Sequence, residues 1–279
     1  MAPRIDPFTG TAVHLVPARQ GRPNLPSSDC PFCVGGLEAP EPYSAKAFPN
    51  RWPALGEGRC EVVLYTPDHD ATFASLGVDG ARRVVDLWAE RTEFLRSQTD
   101  VEYVLVFENR GAEVGATIAH PHGQIYAYDH VPSRPLRRLQ NGWRPDAEPG
   151  DRLVVTHDGW QVVTQSAPVF PVSLSVAPIE RYPDLSSMPP ATRIAFADVL
   201  VDIFGRLDRL FGQPLPYMMW LHQSPTDWQG PDAWFDLEIV SPWRAAGVAR
   251  YIAAAEVACE EYFNPVDPAE LAARLRALA

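Results

Sequence analysis

The order of predicted elements repeats once along this 279-residue chain, and that repetition constrains the fold more than any single motif. Residues 61–65 read as a strand, stopped by Pro67-Asp68. Residues 78–97 read as a helix, because Val84, Val85, Leu87, Trp88, Phe94 and Leu95 recur at a helical period. Residues 103–107 and 124–128 read as strands. The second half repeats strands (160–165 and 172–177), a helix (190–211) and strands (217–221 and 234–240). It adds helices at 248–259 and 268–278. Local details correspond too: Pro67-x-His69 and Leu76 in the first half, Pro178-x-Glu180 and Leu185 in the second. The expectation is an α+β protein of two tandem half-domains, antiparallel sheets with helices packed on one side. The halves are placed at residues 1–132 and 151–279. Residues 133–150, polar with prolines and arginines, read as a linker. Residues 1–50, rich in proline and glycine, read as an irregular arm with short strands such as 12–16.

Composition narrows the function. A net charge of −11 argues against nucleic acid or an anionic membrane as partner, without forbidding a local basic pocket. No apolar run reaches the ~18 residues of a membrane span, and residues 1–7 lack a signal-peptide core, so a cytoplasmic location is expected. Four cysteines are too few for a disulfide scaffold at this length. Cys60 and Cys259 have no partner pattern and read as buried small hydrophobes.

The chemistry concentrates in His120-Pro121-His122-Gly123-Gln124. Two histidines and a glutamine at alternate positions share one face of an extended chain. Ahead of them stands Phe107-Glu108-Asn109-Arg110-Gly111-Ala112-Glu113-Val114-Gly115-Ala116-Thr117. A Cys30-Pro31-Phe32-Cys33 pair sits among prolines and glycines with no βαβ pattern, which favours a metal over a redox role. Thiolates two residues apart can share one ion, and zinc accepts two sulfurs and two imidazoles tetrahedrally. His122 is the candidate nucleophile, since neutral imidazole attacks phosphorus and leaves readily once protonated. Gln124 can donate to a phosphate oxygen but cannot act as acid or base. Thr117, three residues before His120, offers a hydroxyl donor. Gly111 and Gly115 allow close backbone approach.

These segments resemble the galactose-1-phosphate uridylyltransferase family, a nucleotidyl-transferring branch of the histidine-triad superfamily, which reads F-E-N-x-G, then G-x-S, then H-P-H-G-Q. The resemblance implies tandem histidine-triad-like halves and one zinc per chain on Cys30, Cys33, His69 and His120. It implies ping-pong transfer of UMP between a UDP-hexose and a hexose 1-phosphate through a nucleotidyl-His122, in galactose metabolism. Nucleotide sugar and sugar 1-phosphate are the implied partners. Asn109 is the family's nucleotide contact. Phe48-Pro49-Asn50-Arg51-Trp52 resembles the segment that approaches the nucleoside, through Asn50, with Arg51 where some members have aspartate. Pro17-Ala18-Arg19-Gln20-Gly21-Arg22-Pro23 resembles a P-x-R-x-x-R-P arm. There Arg19 and Arg22 clamp phosphates, across a homodimer with shared active sites; the alternative is two solvated surface arginines. Arg250 and Glu256 match the helix residues that hold the hexose. The family's second metal site is expected to be missing: Asp236-Leu237-Glu238 stands at its H-x-H, Arg138 near its glutamate, and His222 alone survives. The rival readings are a nucleoside-diphosphosugar phosphorylase, such as an ADP-glucose phosphorylase, and a zinc-bearing nucleotide-binding protein without turnover.

Overall fold

A computed structural model describes residues 3–21 and 30–279. In the arm, β1 (Arg4–Ile5) pairs with β2 (Ala12–Val13). The main sheet follows: β3 (Lys46–Pro49), β4 (Cys60–Leu64), β5 (Tyr103–Arg110), β6 (His122–Tyr128), β7 (Leu153–His157), β8 (Trp160–Thr164), β9 (Val172–Pro178), β10 (Tyr217–His222) and β11 (Asp236–Ser241). Its strand order is β3-β4-β6-β5-β10-β11-β9-β8-β7, every neighbour antiparallel. A ribbon of β12 (Trp243–Ala245) and β13 (Val248–Ala249) follows. The helices are α1 (Gly77–Arg96), α2 (Ser133–Gln140), α3 (Pro190–Leu210), α4 (Ala254–Cys259) and α5 (Pro268–Arg276).

The two half-sheets meet. β5 pairs with β10, with Phe107 opposite Trp220, so one nine-stranded sheet runs through both halves. Left apart, each half would expose a strand edge of unpaired N–H and C=O groups; pairing removes both edges. The core is shared across this seam. Phe73 from the first half lies 5.9 Å from Trp88 of α1 and 4.9 Å from Phe204 of α3, ring centre to ring centre. Trp160 of β8 stacks on Phe196 of α3 at 4.3 Å.

Three expectations need correction. Residues 133–150 are not a plain linker: Ser133–Gln140 is helical, and its arginines reach down to β11. The helix is one short element with no buried residue, so it carries no apolar stripe to read. The stretch 248–259 begins as β13, and only Ala254–Cys259 is helical. Cys60 is buried as expected, but Cys259 is exposed.

Strand alternation then sets up the site. On β6, Gly123, Ile125 and Ala127 are buried, with Ile125 and Ala127 in the helix-covered core. His122 and Gln124, of opposite parity, face away from the helices. Val62 of β4 and Phe107 of β5 flank Gln124 in the pairing register.

Candidate active site and metal centre

Cys30, Cys33, His69 and His120 converge, their ligand atoms all within 4.8 Å of one another. Cys33 Sγ lies 3.5 Å from His69 Nδ1 and 3.7 Å from His120 Nδ1. Sulfur and nitrogen ligands on a tetrahedral zinc, at about 2.3 and 2.05 Å, would stand about 3.6 Å apart. The donor set and its spacing therefore fit a metal ion. The knuckle folds tightly enough to exclude a side chain at Gly36, where a Cβ would meet Cys30 O at 2.6 Å and Cys33 O at 2.8 Å. Burial, with Cys30 alongside, pushes the Cys33 thiol up. A dication resolves that frustration by taking thiolates as ligands.

His120 is buried, and burial lowers its pKa, which favours the neutral ligand form. Its Nε2–H donates to Thr66 O at 2.7 Å, leaving Nδ1 to face Cys33. Tyr43 Oη supports the same corner, bonding Phe32 O at 2.7 Å and Thr66 O at 2.9 Å. Such outer partners fix a ligand's tautomer and ring orientation.

His122, two residues on, has a different task. Its Nδ1–H donates to the carbonyl oxygen of His120 at 2.7 Å, which puts the ring's lone pair on Nε2. The Phe32 ring meets it edge-on at 5.0 Å. A chain of amides sets Gln124. Trp52 N–H donates to Asn50 Oδ1 (2.9 Å), which turns Asn50 Nδ2 toward Gln124 Oε1 (3.2 Å). The Gln124 amide NH2 is thereby left to donate elsewhere. Gly123 is required between them, because a Cβ there would collide with Tyr65 Oη and crowd Phe107 O at 3.2 Å. Beside Tyr65 under the strand lies Glu108, buried, accepting from Tyr217 Oη at 2.9 Å. Burial pushes its carboxyl up to about 7.

His122, Gln124, Asn50, Arg51 and Thr117 line one cleft of about 670 Å³, with Phe32, Phe48, Trp52, Val62 and Ile118 as apolar walls. Arg51 is held by Glu38 at 2.8 Å. Asn109 lies instead at a small cavity beside His120 and His122, and Gly115 ends the turn Ala112–Val114 in the left-handed conformation. Arg19 sits half-buried in the turn Pro17–Gly21 of the arm, outside the cleft walls; Arg22 lies outside the described residues. Arg250 and Glu256 are not brought to this cleft either. They are buried against each other, and Glu256 also accepts from Ala253 N and Phe263 N. Their side chains brace the 250–263 segment.

Sequence reasoning missed Phe32, Phe48, Glu38 and Tyr43. Phe32 had a signal, since its place between Cys30 and Cys33 ties it to the neighbourhood of their cluster. Tyr43 had none, because its contacts depend on tertiary folding alone.

The family models that match are those described as galactose-1-phosphate uridyl transferase, N-terminal domain, over residues 40–132, and C-terminal domain, over residues 113–277. The chain belongs to the galactose-1-phosphate uridyl transferase family. A galactose-1-phosphate uridylyltransferase of Streptomyces lividans is 38% identical over 246 residues, 80% of this chain and 70% of that protein. One from Thermotoga maritima is 32% identical over 308 residues, 98% and 97% of the two chains. A solved uridylyltransferase mutant superposes with a TM-score of 0.90 at 26% identity, covering 100% of this chain and 97% of that one.

In this member of the uridyl transferase family, His222, Asp236 and Glu238 form an ion-pair cluster. Arg138 Nη2 donates to Asp236 Oδ1 at 2.6 Å and Arg134 Nη2 to Glu238 Oε1 at 2.9 Å, with His222 Nε2 at 2.9 Å from Glu238 Oε2. Burial would raise Glu238, but His222, Arg134 and Gln165 together outweigh it and hold the carboxyl down at about 2. Two arginines thus hold the carboxylates a cation would need. Among the described residues, no helix is long and apolar enough to cross a membrane.

Proposed function

We propose that this nucleotidyltransferase moves UMP from a UDP-hexose to a hexose 1-phosphate in two displacements through His122 Nε2. The carrying observation is the 2.7 Å hydrogen bond from His122 Nδ1 to the His120 carbonyl, which fixes the nucleophilic tautomer in the wall of the cleft. In the first step Nε2 attacks the α-phosphorus. The N–P bond forms, the P–O bond to hexose 1-phosphate breaks, and its electron pair leaves on that oxygen. The ring gains positive charge, and the His120 carbonyl stabilises it through Nδ1–H. In the second step a phosphate oxygen of the acceptor attacks phosphorus and the N–P pair returns to Nε2. Gln124, held by Asn50, donates to a non-bridging oxygen; Thr117 adds a hydroxyl. Neither side chain is basic enough to activate water, which favours the sugar phosphate as acceptor. The aromatic and aliphatic walls suit a nucleobase.

Zinc on Cys30, Cys33, His69 and His120 would be fully coordinated by protein, and a closed site of this kind supplies stability rather than Lewis acidity. The active unit is a homodimer. The arm leaves Ile5, Phe8, Val13 and Leu15 exposed, an apolar face that a second chain would cover, and Arg19 on the same arm would then reach the neighbouring cleft.

The test is trapping. Protein incubated with UDP-hexose labelled in the α-phosphate, and no acceptor, should acquire acid-labile, base-stable label and release an equal amount of hexose 1-phosphate. His122→Ala should abolish both, and His122→Gly should regain label transfer with added imidazole. Sequential kinetics without bound label, in a His122→Ala protein that still turns over, would sink the reading and leave phosphorolysis or simple binding.

A further inference from the structure

One row of side chains crosses the sheet and reads the same way from both edges. In the first half, Phe48, Val62, Gln124 and Phe107 stand opposite one another on β3, β4, β6 and β5. In the second half, Val163, Ser175, Glu238 and Trp220 do so on β8, β9, β11 and β10. The rows join where Phe107 faces Trp220. Edge contacts extend the match: Asn50 N bonds Cys60 O (2.8 Å), and Gln165 N bonds Ser173 O (3.0 Å). Asn50 and Gln124 therefore correspond to Gln165 and Glu238, and His122 to Asp236. The first set lines the catalytic cleft. Of the second, Gln165 and Glu238 line another cleft, of about 570 Å³, on the equivalent part of the second half-sheet, with Asp236 buried behind it.

The chemistry of this second cleft differs. No imidazole lines it. The Asp236 and Glu238 carboxylates are bound by Arg138 and Arg134. Arg152 pairs with Asp146. Arg144, at the cleft wall, has no acidic partner among the described residues. Four guanidiniums thus meet three carboxylates in a chain whose net charge is −11. Each guanidinium carries five N–H donors, and the ion pairs use few of them. Gln161, Gln165, Ser166 and Ser175 add neutral donors. We propose that this cleft binds the phosphate group of a small anion and carries out no chemistry on it. Planar forks in a partly enclosed cleft recognise phosphate oxygens in pairs, and the ligand stays intact because Asp236, at the position of His122, is buried outside the cleft and bound to Arg138.

The test follows Trp143, which lines the cleft under Arg138 at 3.7 Å. Full-length protein carrying 5-fluorotryptophan is titrated with inorganic phosphate, pyrophosphate and UMP. Fluorine resonances of Trp143 and Trp52 are assigned by Trp→Phe variants. Trp143 should shift with phosphate-bearing ligands. Arg144→Glu, at an exposed position, should weaken that response at least fivefold while leaving the Trp52 response to UMP unchanged. A shift with inorganic phosphate as well as UMP assigns the site to phosphate itself; a shift with UMP alone assigns it to a phosphate ester. No response of Trp143 to any of the three, or an unaltered response in Arg144→Glu, overturns the proposal. Neither readout depends on turnover at His122.

Discussion

Glu108→Gln should flatten the pH dependence of stability over a defined window. Glu108 is 4% exposed, one oxygen accepts from Tyr217, and the other has no hydrogen-bond partner among the described residues. Its carboxyl titrates near 7 in the folded protein against 4.5 for an ordinary glutamate. Below 4.5 both states are protonated and the buried acid costs nothing extra. Between 4.5 and 7 the unfolded chain releases a proton that the folded one keeps, so stability falls as pH rises. The span of about 2.5 pH units, at 1.36 kcal/mol each, comes to about 3 kcal/mol. Glutamine is isosteric, still accepts from Tyr217, and does not titrate. Denaturant unfolding of both proteins at a series of pH values, with metal content held constant, gives the difference directly. Contributions from His120 and the acidic groups cancel in that difference. The wild type should lose about 3 kcal/mol relative to Glu108→Gln between pH 4.5 and 7, then run parallel above it. Curves parallel throughout would mean that Glu108 is already ionised in the fold, and the argument from its burial would be wrong.

Cys30→Ser should lose bound zinc and lower the melting temperature together, checked by metal analysis and calorimetry; a metal-free protein with unchanged stability would refute the structural role. Gly123→Ala forces a methyl against Tyr65 Oη, and should cut turnover at least tenfold with little change in substrate affinity, while Gly123→Ala combined with Tyr65→Phe should recover part of the loss. Mixing inactive His122→Ala with inactive Arg19→Ala protein should restore part of the activity if sites are shared between chains. No recovery, with a monomer in light scattering, would rule out sharing.

The site was legible where chemistry is local in sequence. Alternation in His120-Pro121-His122-Gly123-Gln124 does put His122 and Gln124 on one face, and the Cys30, Cys33, His69 and His120 set does converge. His120 itself precedes β6 and turns to the metal cluster, a division of labour that period-two alternation alone would not give. The long helices were legible because burial imposes a period on twenty residues. β3 and β7 were not, being edge strands of four and five residues with half-exposed side chains. Nor was α2, whose hold on the sheet is ionic, Arg134 to Glu238 and Arg138 to Asp236, and leaves no apolar trace. Arg250 and Glu256 matched a motif by type, yet that the two pair with each other is a tertiary fact no motif carries.

The seam between β5 and β10 also governs how the chain must be made. Synthesis delivers β5 long before β10, roughly a hundred residues later, so a nascent first half leaves the ribosome with an open sheet margin and half of a core. Until α3 arrives, Phe73 lacks the Phe204 ring that packs against it. The first half, which holds the candidate active site, thus waits with an unpaired strand edge. The second half, with Asp236 and Glu238 given over to ion pairs, is what supplies the missing strand partner and the missing ring.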